Sequence, residues 1–280
     1  MKDYFGLKGK VCVITGSASG MAKAATEMLV DLGAKVYALD WTEVTVPGIE
    51  KYVSVNLGEK NSIDKAFLEI PDKIDVFLGV AGVSGQKHDF ITTFAIDFIS
   101  NKYIVEKYLE ERIVPGGTIG FVTSEAGLRW ETAEAKEEYM MAIDAKSWDE
   151  AIDAIRIYKD VPGPAGYSLA KRAMHYYIAS ILEKFGPKKI RVNAVLSGAT
   201  DTGLTDEFAV STGGRENLEK YTGFAQRLAQ AREMAEPLVF LCSNMASYVS
   251  GTLMTVDFGL DLPMVAGITQ DWYGGLKIPK

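Results

Sequence analysis

Short apolar, β-branched runs alternate with longer stretches of helical period along this chain. Residues 10–15 (KVCVIT) are apolar at almost every position, the pattern of a strand covered on both faces. A glycine turn over 16–22 leads into a helical stretch that reaches about Leu32 and stops at Gly33. Residues 35–39 repeat the strand pattern and are closed by Asp40. Further strands are expected over 52–55, 74–80, 118–123, 190–196 and 253–257. Helices are expected over 61–70, 90–108, 132–143, 148–158, 167–185 and 235–244, with Pro71 and Gly186-Pro187 as stops. Strand and helix alternate throughout, so the expectation is α/β, one doubly wound domain over residues 1–280 with right-handed crossovers.

Three segments differ in texture. Residues 128–160 are rich in Ala, Glu and Lys. Trp148, Ile152, Ile155 and Tyr158 fall at helical spacing there. Residues 203–232 lose regularity, with Leu204, Phe208, Tyr221 and Phe224 scattered among Gly and polar residues, which predicts a mobile flap. The tail over 261–280, with Pro263, Trp272, Tyr273, Gly274 and Gly275, shows no period.

Composition narrows the function classes. Apolar residues make up 48 % of the chain, enough for a large core, and the net charge is −7. An acidic surface argues against sequence-independent binding to nucleic acid or anionic membranes. No uncharged apolar stretch is long enough to cross a bilayer, and residues 1–6 do not resemble a signal peptide. Cys12 and Cys242 sit far apart in apolar runs and read as buried reduced thiols. A cytoplasmic protein is expected, with no metal site.

The first sixty residues carry a ligand signal. Strand, glycine turn, helix, strand and acid follow one another at the length of a βαβ unit that holds a dinucleotide. Gly16 permits a turn forbidden to side chains, and Gly20 lets backbone approach a pyrophosphate at the positive end of a helix. Ala22 stands where helix packs on strand. Asp40 accepts hydrogen bonds from ribose hydroxyls and repels a 2′-phosphate, and Trp41 and Thr42 beside it are not basic, so NAD is expected over NADP. Trp41 either stacks beside the adenine or packs on the surface. The small pair Ala81-Gly82, after the fourth strand, lets backbone run close to a bound ribose or nicotinamide.

Tyr167 and Lys171 lie four residues apart, which on a helix puts both on one face. A tyrosine acting as a base near neutral pH needs its pKa lowered from about 10, and a lysine charge about 4 Å away supplies energy of the right order. Ser124 stands at the C-terminal end of a strand, where open α/β sheets bind ligands.

Thr15-Gly16-x-x-x-Gly20-x-Ala22, Asp40, Ala81-Gly82, Ser124, Tyr167-x-x-x-Lys171 and Ser197-Gly198-x-Thr200-x-Thr202 occur in one order over most of the chain. In this the sequence resembles the short-chain dehydrogenase/reductase family. The resemblance implies a Rossmann domain with a seven-stranded parallel sheet, helices on both faces, and hydride transfer between a nicotinamide and a carbonyl or secondary alcohol. It implies that Tyr167 moves the substrate proton and that Lys171 lowers the phenol pKa and holds the nicotinamide ribose. Ser124 then holds the substrate oxygen and Thr202 the carboxamide. Gly16, Ser19, Gly20, Met21, Asp40, Trp41, Asn56, Leu57, Ala81, Gly82 and Thr200 complete the implied cofactor site.

The sequence departs from the family pattern at several positions. Asp97 stands in the long middle helix where an asparagine is usual; it either pairs with Lys171 or relays protons itself, and Asn101, one turn later, is a substitute. Gly79-Val80 replaces two asparagines, Ser197 a proline and Phe258 a glycine. The interval from Ser124 to Tyr167 is longer than usual, and the insertion over about 128–163 resembles the 3α-hydroxysteroid dehydrogenase/carbonyl reductase branch. Trp130, Tyr139, Met140, Met141 and Trp148 within it either wall the substrate cleft or bury against the body of the protein.

The reading is an NAD(H)-dependent enzyme that interconverts a bulky apolar alcohol and its ketone, with a hydroxysteroid or bile acid as the best substrate. The alternatives are a cyclic terpenoid or other small alcohol, or an NAD-binding regulatory module of low activity. A homo-oligomer, dimer or tetramer, is expected.

Overall fold

The computed structural model describes residues 3–273; Gly274, Gly275 and the rest of the expected tail beyond Tyr273 lie outside the described residues. The apolar runs become β1 (Val11–Thr15), β2 (Lys35–Asp40), β3 (Lys51–Ser54), β4 (Ile74–Gly79), β5 (Ile113–Ser124), β6 (Arg191–Ser197) and β7 (Leu253–Val256). They form one seven-stranded sheet in the order β3-β2-β1-β4-β5-β6-β7, and every pair is parallel. This is the α/β Rossmann-like architecture expected.

Side chains that alternate along a strand enter opposite layers. Val13 faces the layer that holds Phe77, Phe94, Phe98 and Phe121, while Cys12 and Ile14 face the layer of Ala25, Leu29 and Leu238. Helices α1 (Gly20–Asp31) and α8 (Ala231–Cys242) cover that second face. The first is covered by α2 (Lys60–Phe67), by α3, a helix over residues 90–112, and by α6 (Gly163–Ser180). Cys12 and Cys242 are free, buried thiols of the second layer, and burial pushes both pKa values up.

Several boundaries differ from the pattern. β5 begins at Ile113, because the chain enters it directly from α3. Pro115-Gly116-Gly117 lies inside the strand as a bulge: Ile113 pairs with Ile74, and the next pairing, Thr118 with Val76, has shifted register. Helix α6 begins at Gly163, ahead of Tyr167, with Pro164 in its first turn, where a missing N–H costs nothing. α8 begins at Ala231, earlier than expected, with Gln230 and Glu233 closing a capping box. α3 contains two π-helical turns, Ala95–Ile99 and Val105–Leu109.

The segment after residue 202 is more regular than its pattern suggests. It contains α7 (Thr205–Ser211) and a short turn of helix, Arg215–Leu218. A two-residue parallel ladder, Thr200–Asp201 with Ala229–Gln230, closes its base. Helix α9 (Asp261–Val265) opens the tail. Helices α4 (Ala133–Asp144) and α5 (Trp148–Ile155) fill the long interval before α6. Their aromatic side chains turn inward: Tyr139 and Trp148 are buried in the main core, and the Tyr139 hydroxyl donates to the Trp130 carbonyl at 2.6 Å. Glu138 of α4 pairs with Arg172 of α6 at 3.0 Å.

Candidate active site

The C-terminal ends of β1, β2 and β4 meet around one cavity of about 330 Å³. Gly16 has φ +82°, and a Cβ there would stand 2.8 Å from Ala81 Cα, so only glycine lets the two loops touch. Thr15 fastens the same place: its Oγ1 accepts the Val80 and Ala81 N–H groups at 3.1 and 3.2 Å. Asp40 is held from both sides, by the Ala18 N–H at 3.0 Å on Oδ2 and the Thr42 N–H at 2.9 Å on Oδ1. Gly16, Ser19, Gly20, Met21, Asp40, Trp41, Leu57, Ala81 and Gly82 all line this cavity. Trp41 sits at its rim and is 56 % exposed.

Asn56 does not join them. Its Oδ1 accepts the Gly58 N–H at 3.0 Å and its Nδ2 donates to Glu59 at 2.9 Å, so its side chain serves the turn that starts α2. Its neighbours Val55 and Leu57 face the cavity instead.

A second cavity, of about 500 Å³, meets the first at Met21, Val80, Gly82, Thr202 and Leu204. Ser124, Tyr167, Lys171, Thr200 and Thr202 all line it. The α6 turn that carries Tyr167 is seated by close backbone contact. A Cβ at Gly163 would stand 2.0 Å from the His88 carbonyl oxygen and 2.2 Å from that of Gly85. Ser124 and Tyr167 share a side-chain hydrogen bond, and Ser124 Oγ also accepts the Ala126 N–H at 3.2 Å. The Lys171 ammonium lies 5.1 Å from the centre of the Tyr167 ring.

Asp97, in the first π-helical turn of α3, is buried. Its Oδ1 accepts the Val83 N–H at 2.9 Å. Oδ1 and the Lys171 Nζ both pack on Gly82, at 3.0 and 3.5 Å from where a Cβ would be. Asn101 is directed elsewhere: its Nδ2 donates to the Asp97 carbonyl at 3.3 Å, within its own helix.

Electrostatics here run against one expectation. The Tyr167 hydroxyl is held above the ordinary range of a phenol, not below it. Burial is the main cause, and the Asp97 and Glu125 carboxyls add to it, while the Ser124 hydrogen bond opposes it. Lys171 shares its field with Asp97, whose own carboxyl is pushed up to about 6 because burial outweighs Lys171 and the Val83 N–H. His175, buried behind the site, is lowered to about 3 chiefly by burial, so its ring is neutral at physiological pH. Its Nε2 lies 2.9 Å from Thr123 Oγ1.

The walls of the second cavity come from segments that sequence patterns left irregular. Phe208 of α7 packs on Tyr167 with ring centres 5.1 Å apart, and Leu218, Tyr221, Trp272 and Tyr273 complete the apolar side. None of Trp130, Tyr139, Met140, Met141 or Trp148 reaches it. Of the two readings, burial against the body holds for Tyr139 and Trp148, while Trp130, Met140 and Met141 are half-buried. α7 is tied down by Glu207, which pairs with Lys87 at 2.6 Å and accepts from Ser84. The tail is tied by Arg129, which bonds Asp261 at 3.1 Å and Asp271 at 2.8 Å. Glu125, buried and facing this cavity, is a further residue that the motif did not name. The only sequence signal for it is its place directly after Ser124.

This arrangement has relatives. A family model described as enoyl-(acyl carrier protein) reductase matches residues 150–261. The coniferyl-alcohol dehydrogenase of a Pseudomonas species (strain HR199) is 26 % identical over 259 residues, covering 91 % of this chain and 97 % of that protein. The 3-oxoacyl-[acyl-carrier-protein] reductase of Aquifex aeolicus (strain VF5) is 26 % identical over 270 residues, covering 91 % and 98 %. Among solved structures, the 3-alpha-hydroxysteroid dehydrogenase from Pseudomonas sp. B-0831 complexed with NADH superposes with a TM-score of 0.79 at 23 % identity, covering 92 % of this chain and 99 % of that one. Together these likenesses support a member of the short-chain dehydrogenase/reductase family. The relatives it resembles are oxidoreductases, and the family they represent uses a nicotinamide cofactor. Among its described residues no helix is long and apolar enough to cross a membrane, and no group of three or more His, Cys, Asp or Glu could hold a metal ion.

Proposed function

We propose that this protein interconverts a secondary alcohol and a ketone with NAD(H), acting on a bulky, largely apolar substrate. The observation that carries the reading is the convergence of Ser124, Tyr167 and Lys171 in the larger cavity, which adjoins the smaller one. The smaller cavity suits a dinucleotide: its glycine-narrowed floor admits close approach, and Asp40 offers a fixed carboxylate. Gly16, Ser19, Gly20, Met21, Leu57, Ala81 and Gly82 would hold the cofactor, with Trp41 at the rim and Thr200 and Thr202 at the nicotinamide end. Asp40 favours NAD, since a 2′-phosphate brought to it meets like charge. When bound, the cofactor accepts or returns the hydride.

The chain supplies the proton chemistry. Ser124 holds the substrate oxygen. Tyr167 takes the alcohol proton in oxidation and gives it back in reduction. Lys171 favours the ionised phenol, and Asp97 restrains that effect. With its hydroxyl held protonated, Tyr167 is ready as the acid of ketone reduction at neutral pH.

The larger cavity falls within the roughly 300–1,000 Å³ range of small-molecule sites. Phe208, Tyr221 and Trp272 give it a broad apolar wall. A hydroxysteroid or bile acid fits this shape best, and a cyclic terpenoid alcohol next. The alcohol and hydroxysteroid dehydrogenases among its matches support the reading. The test is NADH formation, followed by absorbance, with a panel of hydroxysteroids, bile acids and cyclic terpenoid alcohols, each with NAD and NADP. Turnover of at least one ring alcohol, faster with NAD, is expected. No turnover of any member overturns the substrate class, and faster turnover with NADP overturns the cofactor choice.

A further inference from the structure

Glu125 is the residue of the larger cavity that the proposed chemistry leaves unused. It follows Ser124 at the end of β5 and opens a short 3₁₀ turn, Glu125–Gly127. The residue is 3 % exposed and faces the cavity. Its two carboxyl oxygens have different surroundings. Oε2 accepts the Tyr273 hydroxyl at 2.9 Å. Oε1 is buried and has no hydrogen-bond partner among the described residues. Oε1 lies towards Gly198, 3.2 Å from where a Cβ would stand, and Gly198 also lines the cavity.

The charges around Glu125 favour its neutral form. Asp257 and Asp261 act on it with like charge, and the hydroxyls of Tyr167 and Tyr273 are the other titratable groups that interact with it. Arg129, the guanidinium on the adjoining segment, is committed to Asp261 and Asp271. Burial first, and then the two aspartates, push the carboxyl up to about 8. At neutral pH it is a carboxylic acid. Because Oε2 accepts from Tyr273, the acid proton falls to Oε1, which is buried beside Gly198 of the cavity wall. A buried donor without an acceptor is unfavourable, and a ligand oxygen relieves it.

We propose that Glu125, locked by Tyr273, is a substrate-positioning residue whose Oε1–H donates a hydrogen bond to a second, uncharged oxygen near the reacting carbon of the substrate. The inference rests on the oxidoreductase reading above and adds a substrate class: neutral alcohols or ketones that carry a further oxygen acceptor beside the carbinol. A carboxylate at that position is rejected, because it meets Asp257 and Asp261. The second oxygen orients the ring system, so that the carbinol rather than another substituent reaches Ser124 and Tyr167.

The test measures binding to the NADH-saturated protein, where an alcohol probe cannot react. The probes are decalin-2-ol, its 3-methoxy derivative and its 3-carboxylate, read by calorimetry from pH 6 to 10. At pH 6.5 the methoxy compound is expected to bind about fivefold more tightly than decalin-2-ol, the scale of one added hydrogen bond. The carboxylate is expected to bind more weakly than either. The methoxy advantage disappears as pH rises through about 8. In Glu125→Gln the amide still donates, so the advantage persists at all pH values; in Glu125→Leu it is absent throughout. Equal binding of the two neutral probes, a ratio that does not change with pH in the parent, or a pH dependence that survives in Glu125→Gln overturns the inference. Failure of the parent to bind NADH or to oxidise any alcohol sinks the oxidoreductase reading instead. Should Glu125→Leu not fold, the comparison of Glu125→Gln with the parent decides the matter alone.

Discussion

The Lys171 ammonium lies 5.1 Å from the centre of the Tyr167 ring, one turn along the same helix, yet the Tyr167 hydroxyl stays above its ordinary pKa. A cation beside a phenol does not by itself make a base when the pair is poorly solvated and next to a carboxylate. If Tyr167 is the proton-transfer group, Tyr167→Phe lowers kcat by about 10²–10⁴, the usual contribution of general acid–base catalysis. NADH affinity, from fluorescence titration, should change less than about twofold. Turnover near that of the parent would remove Tyr167 from the chemistry.

Asp97 sets the pH range in which Tyr167 can act. Its carboxyl, pushed up to about 6, is ionised above that pH and raises the Tyr167 hydroxyl. Asp97→Asn keeps the shape and removes the charge. The rising limb of kcat/KM for alcohol oxidation is expected to move down by on the order of one pH unit, equivalent to about 1.4 kcal/mol. An unmoved or upward-shifted limb would show that Asp97 supports the base.

Cofactor choice is testable at Asp40, whose two oxygens are fixed by the Ala18 and Thr42 N–H groups. Asp40→Ser removes the charge that opposes a 2′-phosphate. The NAD-to-NADP ratio of kcat/KM is expected to fall by about tenfold or more, since each 1.4 kcal/mol corresponds to a factor of ten. A constant ratio would place the discrimination elsewhere.

The seat of α6 depends on a bare backbone at Gly163, packed on the carbonyls of Gly85 and His88. Gly163→Ala forces those segments apart, at about 1–3 kcal/mol for overpacking of a tight contact. Thermal unfolding should show a lower Tm, and kcat should fall more than NADH affinity, because Tyr167 moves while Asp40 does not. An unchanged Tm would show that the loop after β4 yields without resistance.

Glu125 also links stability to pH. Its folded-state pKa, about 8, lies above the ordinary value of 4.5, so the folded protein holds a proton that the unfolded chain releases between those values. The stability this group contributes is complete below about 4.5 and is lost as pH rises to about 8. Glu125→Gln carries no such proton. The Tm difference between variant and parent should therefore shift in favour of the variant across that window and stay level outside it. A difference that is flat from pH 4 to 9 would show that Glu125 is ionised in the native state.

The sequence by itself determined the alternation of strand and helix, the glycine turn, Asp40 at the end of β2, and the helical spacing of Tyr167 and Lys171. These are local features: a period, a turn that needs glycine, or a spacing of one helical turn follows from residues close together in the chain. Only the tertiary structure decided the rest. It turned Asn56 into the α2 turn, buried Tyr139 and Trp148 in the core, and made the wall of the larger cavity from α7 and the tail. It joined Glu125 to Tyr273, 148 residues away, and let burial outweigh the Ser124 hydrogen bond at Tyr167. Cavity walls and buried electrostatics are sums over segments distant in sequence, and no local pattern encodes which of them will meet.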